Sequence, residues 1–179
     1  MNKSESHQFY KELLHVVGPI ALQNLISAAV SSADVIMLGY VGQTEIAASS
    51  LAGQLMFIML MIATGLSSGL VILCAQYWGK KDVEAIRTLH GIALRISSIA
   101  GLIFTLAALI IPQKLMKIFT NELPLIESGT SYLRTVSFSY VLFSISQVFQ
   151  AGFKSIERVK IVSIITVTTL SLNIVLNAV

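Results

Sequence analysis

One acid and a short ladder of hydroxyls and amides carry most of the chemistry this sequence can offer. Asp34 follows a run, Leu13 to Ala33, that holds no formally charged residue. A carboxylate at mid-bilayer costs on the order of 2.5–3.5 kcal/mol on insertion scales, so it needs a polar pocket, a cation or a proton. Desolvation disfavours the bare charge, which suits a group that takes up a proton or a cation and gives it back. Asp34 also lies five positions before Gly39, roughly 7–8 Å along a helix, so reaching the outer interface is the competing reading. Near the other end, Thr166, Thr169, Asn173 and Asn177 are spaced three, four and four, which lines them on one helical face. Amides in an apolar helix aim at partners rather than lipid, either at a bound ion or at a neighbouring helix that they merely hold. Counted along ideal helices, Asp34 sits roughly 31 Å from the inner face and Asn177 roughly 24 Å. Both then fall in the outer half, and one cavity could contain them.

The remaining polar features read as follows. Ser137, Ser139, Ser144, Ser146, Gln147 and Gln150 make one apolar stretch unusually polar, and Gln147 joins Thr166 and Thr169 as a candidate cavity-lining residue. Gly65-Leu66-Ser67-Ser68-Gly69 is a small-xxx-small pattern that predicts close helix packing. Pro19 removes a backbone bond within the first span and should kink it, making it a candidate hinge. His7, His15 and His90 share no metal-ligand spacing and fall near inner ends, where they read as interfacial. Sodium at Asp34 is the one metal considered. The lone Cys74 sits in an apolar run as a small packing residue, with no disulfide framework or Cys-based zinc site available. A Gly-rich phosphate loop and a nucleophile elbow are both missing from the sequence, so enzyme chemistry is not expected.

These residues need elements to hold them, and the composition says which. Hydrophobic residues make up 55% and charged residues 12% of the 179, with mean hydropathy +0.80. A soluble domain carries about 25% charge. Too little polar surface remains to cover a water-soluble core, so lipid is the expected solvent. A helix crossing about 30 Å of hydrocarbon needs roughly 20 apolar residues. Five stretches meet or approach that length: Leu13 to Leu38, one within Ile46 to Gly79, Ile92 to Ile111 closed by Pro112, Thr135 to Phe153, and Ile161 to the end. The Ala/Ser-rich start of the second, Ile46 to Gly53, reads as loop or interfacial turn, and Pro124 and Gly129 read as breaks before the fourth. The fold class expected is all-α, a polytopic transmembrane helix bundle (residues 13–179) behind a cytoplasmic N-terminal segment (residues 1–12). A cleaved signal peptide is the rival for the first span, but its apolar core would run only about 7–15 residues.

Charge sets the orientation. With the N-terminus inside, nine of the twelve Lys and Arg fall in inner connections, leaving Lys114, Lys117 and Arg134 outside. Tyr77, Trp78 and Tyr40 then sit at interfacial levels. The net charge of +3 is explained by topology. No basic stripe or aromatic RNA-binding motif accompanies it, and no nucleic-acid partner is expected.

Gly18-Pro19-Ile20-Ala21-Leu22-Gln23-Asn24-Leu25 with Ala33-Asp34-Val35-Ile36-Met37-Leu38-Gly39 resembles the first helix of the multidrug and toxic compound extrusion (MATE) family. Ala75-Gln76-Tyr77-Trp78-Gly79-Lys80-Lys81-Asp82 resembles the loop after that family's second helix. Tyr132-Leu133-Arg134 looks like the start of its fourth, and Leu172-Asn173-Ile174-Val175-Leu176-Asn177 is similar to its fifth-helix asparagine motif. The resemblance implies twelve helices in two six-helix lobes and export of small organic cations in exchange for protons or sodium, with no cofactor. It implies that Asp34 is the acid of a cation site whose partners are Asn173 and Asn177, and that Pro19 is a bending point. Two departures accompany it. Lys154-Ser155-Ile156-Glu157-Arg158-Val159-Lys160 lacks the family's usual Gly-Asp and Pro, which leaves the subgroup open. The chain also stops within the fifth helix, so the expected partners are the sixth helix and the C-terminal lobe.

A plasma (inner) membrane antiporter is therefore the function expected of the complete protein, while these residues alone are not expected to transport drugs. Two alternatives stand beside it. A lipid-linked saccharide flippase of the same superfamily should have a strongly cationic cavity, and this sequence offers chiefly Asp34 and neutral groups. A non-transporting membrane subunit or fragment would leave the polar faces to a separate partner.

Overall fold

A computed structural model describes residues 42–177 together with Ala21, Leu25, Ala28, Ala29 and Ser32. Those five positions have helical backbone and are exposed, and the Ser32 hydroxyl donates to the Ala28 carbonyl at 2.9 Å. Five helices account for nearly all the rest, with no strand among the described residues: α1 Gln43–Gly79, α2 Val83–Ile110, α3 Pro112–Phe119, α4 Leu123–Ser155 and α5 Val159–Asn177. The all-α expectation holds. Three of the helices, α1, α2 and α4, are long and apolar enough to cross a membrane, whereas the apolar part of α5, Lys160–Leu176, is shorter. The first expected span lies largely outside the described residues.

Two boundaries differ from the sequence reading. Helix α1 begins at Gln43 and runs without a break through Ile46 to Gly53. The alanines there are its packing surface, since Ala48 and Ala52 are buried to 0% and 1% exposure. Helix α4 begins at Leu123, so Pro124 starts it and Gly129 lies inside it. Proline suits a first helical turn, where its missing N–H would find no partner in any case. At Gly129 a Cβ would meet the flexible end of the Met116 side chain, which now occupies that space. Pro112 likewise ends α2 and opens the short α3.

The chain divides into two compact units, Leu38–Val159, and Met1–Met37 with Lys160–Val179. In the first unit α4 packs on α1, α2 and α3. One core cluster joins Ala52, Leu55, Met59, Ala108, Met116, Ile126, Leu133 and Tyr140. A second, toward the other end, joins Leu70, Cys74, Ala93, Val148 and Ala151. Cys74 is a packing residue, as expected. The face of α2 away from α4 is a stripe of Ile92, Ile96, Ile99, Ile103, Leu106 and Ile110, all exposed. An apolar face outside and small or polar residues inside is the arrangement lipid favours.

Two turns at one end of the Leu38–Val159 unit share a design. After α1, Asp82 N–H donates to Tyr77 carbonyl at 3.0 Å and Lys81 N–H to Trp78 carbonyl at 3.0 Å, with Lys81 at φ 60°. After α4, Arg158 N–H donates to Phe153 carbonyl at 2.9 Å and Glu157 N–H to Lys154 carbonyl at 3.2 Å, with Glu157 at φ 61°. This is the Schellman ending, which satisfies two orphan carbonyls by taking one residue left-handed. Asp82 then caps α2 by accepting from Ala85 N–H at 3.0 Å. Neither left-handed residue is glycine, so each carries a steric cost of about 1–2 kcal/mol, partly offset by glycine's greater freedom in the unfolded chain. Lys81→Gly and Glu157→Gly are each expected to stabilise the protein by about 0.5 kcal/mol. The readout is the unfolding midpoint in detergent; a lower midpoint for both would contradict the turn geometry.

Candidate cation site and polar cavity

Asp34 and Pro19 lie outside the described residues, so their placement carries no structural statement here. The ladder facing them in sequence terms is described in part. Its four members lie on continuous helix in α5. Val162 is buried, and Thr166, Leu170 and Asn173 are half-buried at spacings of four, four and three, which marks one protected face. Thr166 Oγ1 donates to the Val162 carbonyl at 2.9 Å and Thr169 Oγ1 to the Ile165 carbonyl at 2.9 Å. Both hydroxyl protons are thus spent locally, leaving oxygen lone pairs as what these threonines could present to a cation. Thr169 is exposed, at the edge of the protected arc. Asn177 closes the helix backbone.

Gln147 belongs to the unit Leu38–Val159 and lines a cavity of about 450 Å³ between α1 and α4. Thr64, Ser67 and Ser68 line it from α1, with Lys154 from α4 and Val71 and Ala151 as apolar wall. Ser67 Oγ bridges the two helices by donating to the Gln147 carbonyl at 3.5 Å. The sequence reading singled out Gln147 but not the four residues around it. Their signal was nonetheless periodic: positions 64, 67, 68, 71 and 72 are spaced as one helical stripe, and 147, 151 and 154 as another. The small residues between them make no close packing with the described residues. Gly65 and Gly69 are exposed, and no atom of the described residues would touch a Cβ built at either. Within the described residues the close contacts belong to α2 and α4 instead.

That contact is a polar seam. Ser97 Oγ donates to the Ser144 carbonyl at 2.8 Å, and Thr105 Oγ1 to the Ser137 carbonyl at 2.9 Å. All four residues are buried. Gly101 sits between the two bonds, where a Cβ would lie 2.8 Å from Val141 Cα and 3.2 Å from the Tyr140 carbonyl oxygen. A second close approach sets the Gly152 backbone against His90, whose ring meets Phe149 edge-on at 5.3 Å between centroids. His90 is therefore a half-buried packing residue as well as one near a helix end. These contacts fix α1, α2 and α4 as the frame that carries the cavity.

The MatE family model matches residues 19–179. Among similar proteins, a "Probable multidrug resistance protein NorM" of Rhizobium meliloti (strain 1021) is 24% identical over 92% of this chain and 35% of its own length. One of the same name from Thermotoga maritima is 26% identical over 98% of this chain and 38% of its own length. A third, from Synechocystis sp., is 32% identical over 52% of this chain and 21% of its own length. The chain thus spans little more than a third of the length of the relatives it matches most fully. No solved structure matches it. With the family model running from residue 19 to residue 179, on a frame of long apolar helices, the chain belongs to the MatE family, whose transporters are integral membrane proteins.

Proposed function

We propose that this chain is the N-terminal part of a secondary active transporter that exports organic cations in exchange for protons or sodium. The observation that carries the reading is the alignment of two relatives, each named a probable multidrug resistance protein, across 92% and 98% of the chain. The half-buried ladder face on α5 supports an ion site there.

In this reading, ionised Asp34 holds the cationic substrate. A proton or sodium ion arriving from outside neutralises it, the substrate leaves outward, and the emptied site turns inward. Each charge moved through the potential is worth about 2.3 kcal/mol per 100 mV, enough for roughly a fifty-fold gradient at full coupling. The protein sits in the plasma membrane with its N-terminus in the cytoplasm. The turns that end α1 and α4 lie at one end of their unit and bring together Lys80, Lys81, Lys154 and Arg158, as a cytoplasmic face requires.

The test is transport by the complete protein in proteoliposomes. Uptake of a fluorescent organic cation should follow an imposed sodium or pH gradient and stop when an ionophore collapses it. Asn173→Ala and Asn177→Ala should each weaken the ion dependence by about tenfold, the worth of one hydrogen bond to a charged group. Thr169→Val should leave it unchanged. Transport indifferent to both gradients would overturn the antiport reading.

A further inference from the structure

The cavity between α1 and α4 holds donors that nothing in the described structure uses. Among the described residues, the Thr64 and Ser68 hydroxyls, the Gln147 amide and the Lys154 ammonium have no side-chain partner, and no carboxylate pairs with Lys154. Lys154 is the sole charged residue among the described residues of the lining. It stands one residue before the end of α4, at the level of the two Schellman turns, which the proposed topology puts in the lipid headgroup layer. Gln147 is seven residues deeper, roughly 10 Å along the helix, and Ser67 bonds to its carbonyl at that depth. The cavity therefore offers a cation at headgroup level and neutral donors just below it.

We infer that this cavity binds an anionic phospholipid, with the phosphate on Lys154 and the glycerol ester carbonyls accepting from Ser68 and Gln147. The vertical order of the protein's donors matches the vertical order of the lipid's acceptors. Basic pockets between transmembrane helices take lipid headgroups in this way. A zwitterionic choline headgroup fits less well, because its ammonium meets Lys154 and no acid in the lining. The assignment rests on the membrane-spanning fold, not on the Asp34 exchange site.

Lipid retained by the purified full chain, measured by native mass spectrometry after exchange into mixed phosphatidylglycerol and phosphatidylcholine, tests the inference. Phosphatidylglycerol should be retained over phosphatidylcholine. Lys154→Gln should lower its retention about fivefold, the factor that ~1 kcal/mol per lysine–lipid contact represents. Lys154→Arg should preserve retention, and Lys80→Gln, which removes a nearby charge outside the lining, should not change it. Ser68→Leu, which fills the cavity and leaves Lys154 in place, should reproduce the loss and serves if Lys154→Gln does not fold. Equal retention of both lipids, or equal losses from Lys80→Gln and Lys154→Gln, would overturn the site. Displacement of phosphatidylglycerol by millimolar inorganic phosphate would overturn the lipid as occupant in favour of a free anion.

Discussion

Asp34→Asn in the complete transporter is expected to abolish ion-driven efflux while leaving expression and membrane insertion intact. Asparagine keeps the size and much of the hydrogen bonding of aspartate but can neither carry charge nor take a proton near neutral pH. On the proposed exchange site, a cationic substrate left without its counter-charge loses about 3–5 kcal/mol, or roughly 10²–10⁴ in affinity. Insertion should not suffer, because removing a carboxylate lowers the cost of placing this helix in lipid. Asp34→Glu, which restores the charge on a longer stem, should recover part of the activity. Sodium- or proton-dependent efflux of ordinary size in Asp34→Asn would place coupling elsewhere in the protein.

The second large effect concerns the seam. Gly101→Leu should destabilise the Leu38–Val159 unit by on the order of 3 kcal/mol and sharply reduce folded yield. The obstacle is backbone, Val141 Cα and the Tyr140 carbonyl, which cannot rotate aside as a side chain would. Even Gly101→Ala should destabilise, although alanine is the better helix former by about 0.5–1 kcal/mol. Gly53 provides the contrast, since no atom of the described residues lies within 4 Å of a Cβ built there. Gly53→Ala should therefore be neutral or stabilising, and only packing separates the two outcomes. Ser97→Ala and Thr105→Ala should each cost about 0.6 kcal/mol, the average for such bonds between membrane helices. Unfolding in mixed micelles measures all five, and a Gly101→Ala protein as stable as Gly53→Ala would contradict the close approach.

Apolar length and charge were enough to read a helical membrane protein from the sequence, because lipid permits few other solutions to backbone hydrogen bonding. Boundaries were harder. Pro124 and Gly129 resemble breaks when read singly, yet one suits the first turn of α4 and the other makes room for Met116. Only the partner helix distinguishes those uses. The Gly65–Gly69 pattern likewise meets no close neighbour among the described residues. Small residues permit close packing without requiring it, and Gly101, with no matching glycine four residues away, is where the helices meet. The α5 ladder was legible because three- and four-residue spacings map directly onto a helical face. Lys154 was passed over because, counted as one more inner positive charge, it gave no hint that Ser67, Ser68 and Gln147 would gather beside it.

Helix α1 holds 37 residues, about 55 Å end to end. A bilayer with its headgroups is about 40–45 Å thick, and tilts seldom exceed about 40°. Such a rod must therefore project from the membrane or lean near that limit. Its leading turns, with Ala48 and Ala52 buried in protein, then form a stalk beside α3 and the first turns of α4, sheltered by neighbours rather than by acyl chains. Thinner or thicker bilayers would change how far that stalk emerges while leaving the joint between α2 and α4 undisturbed.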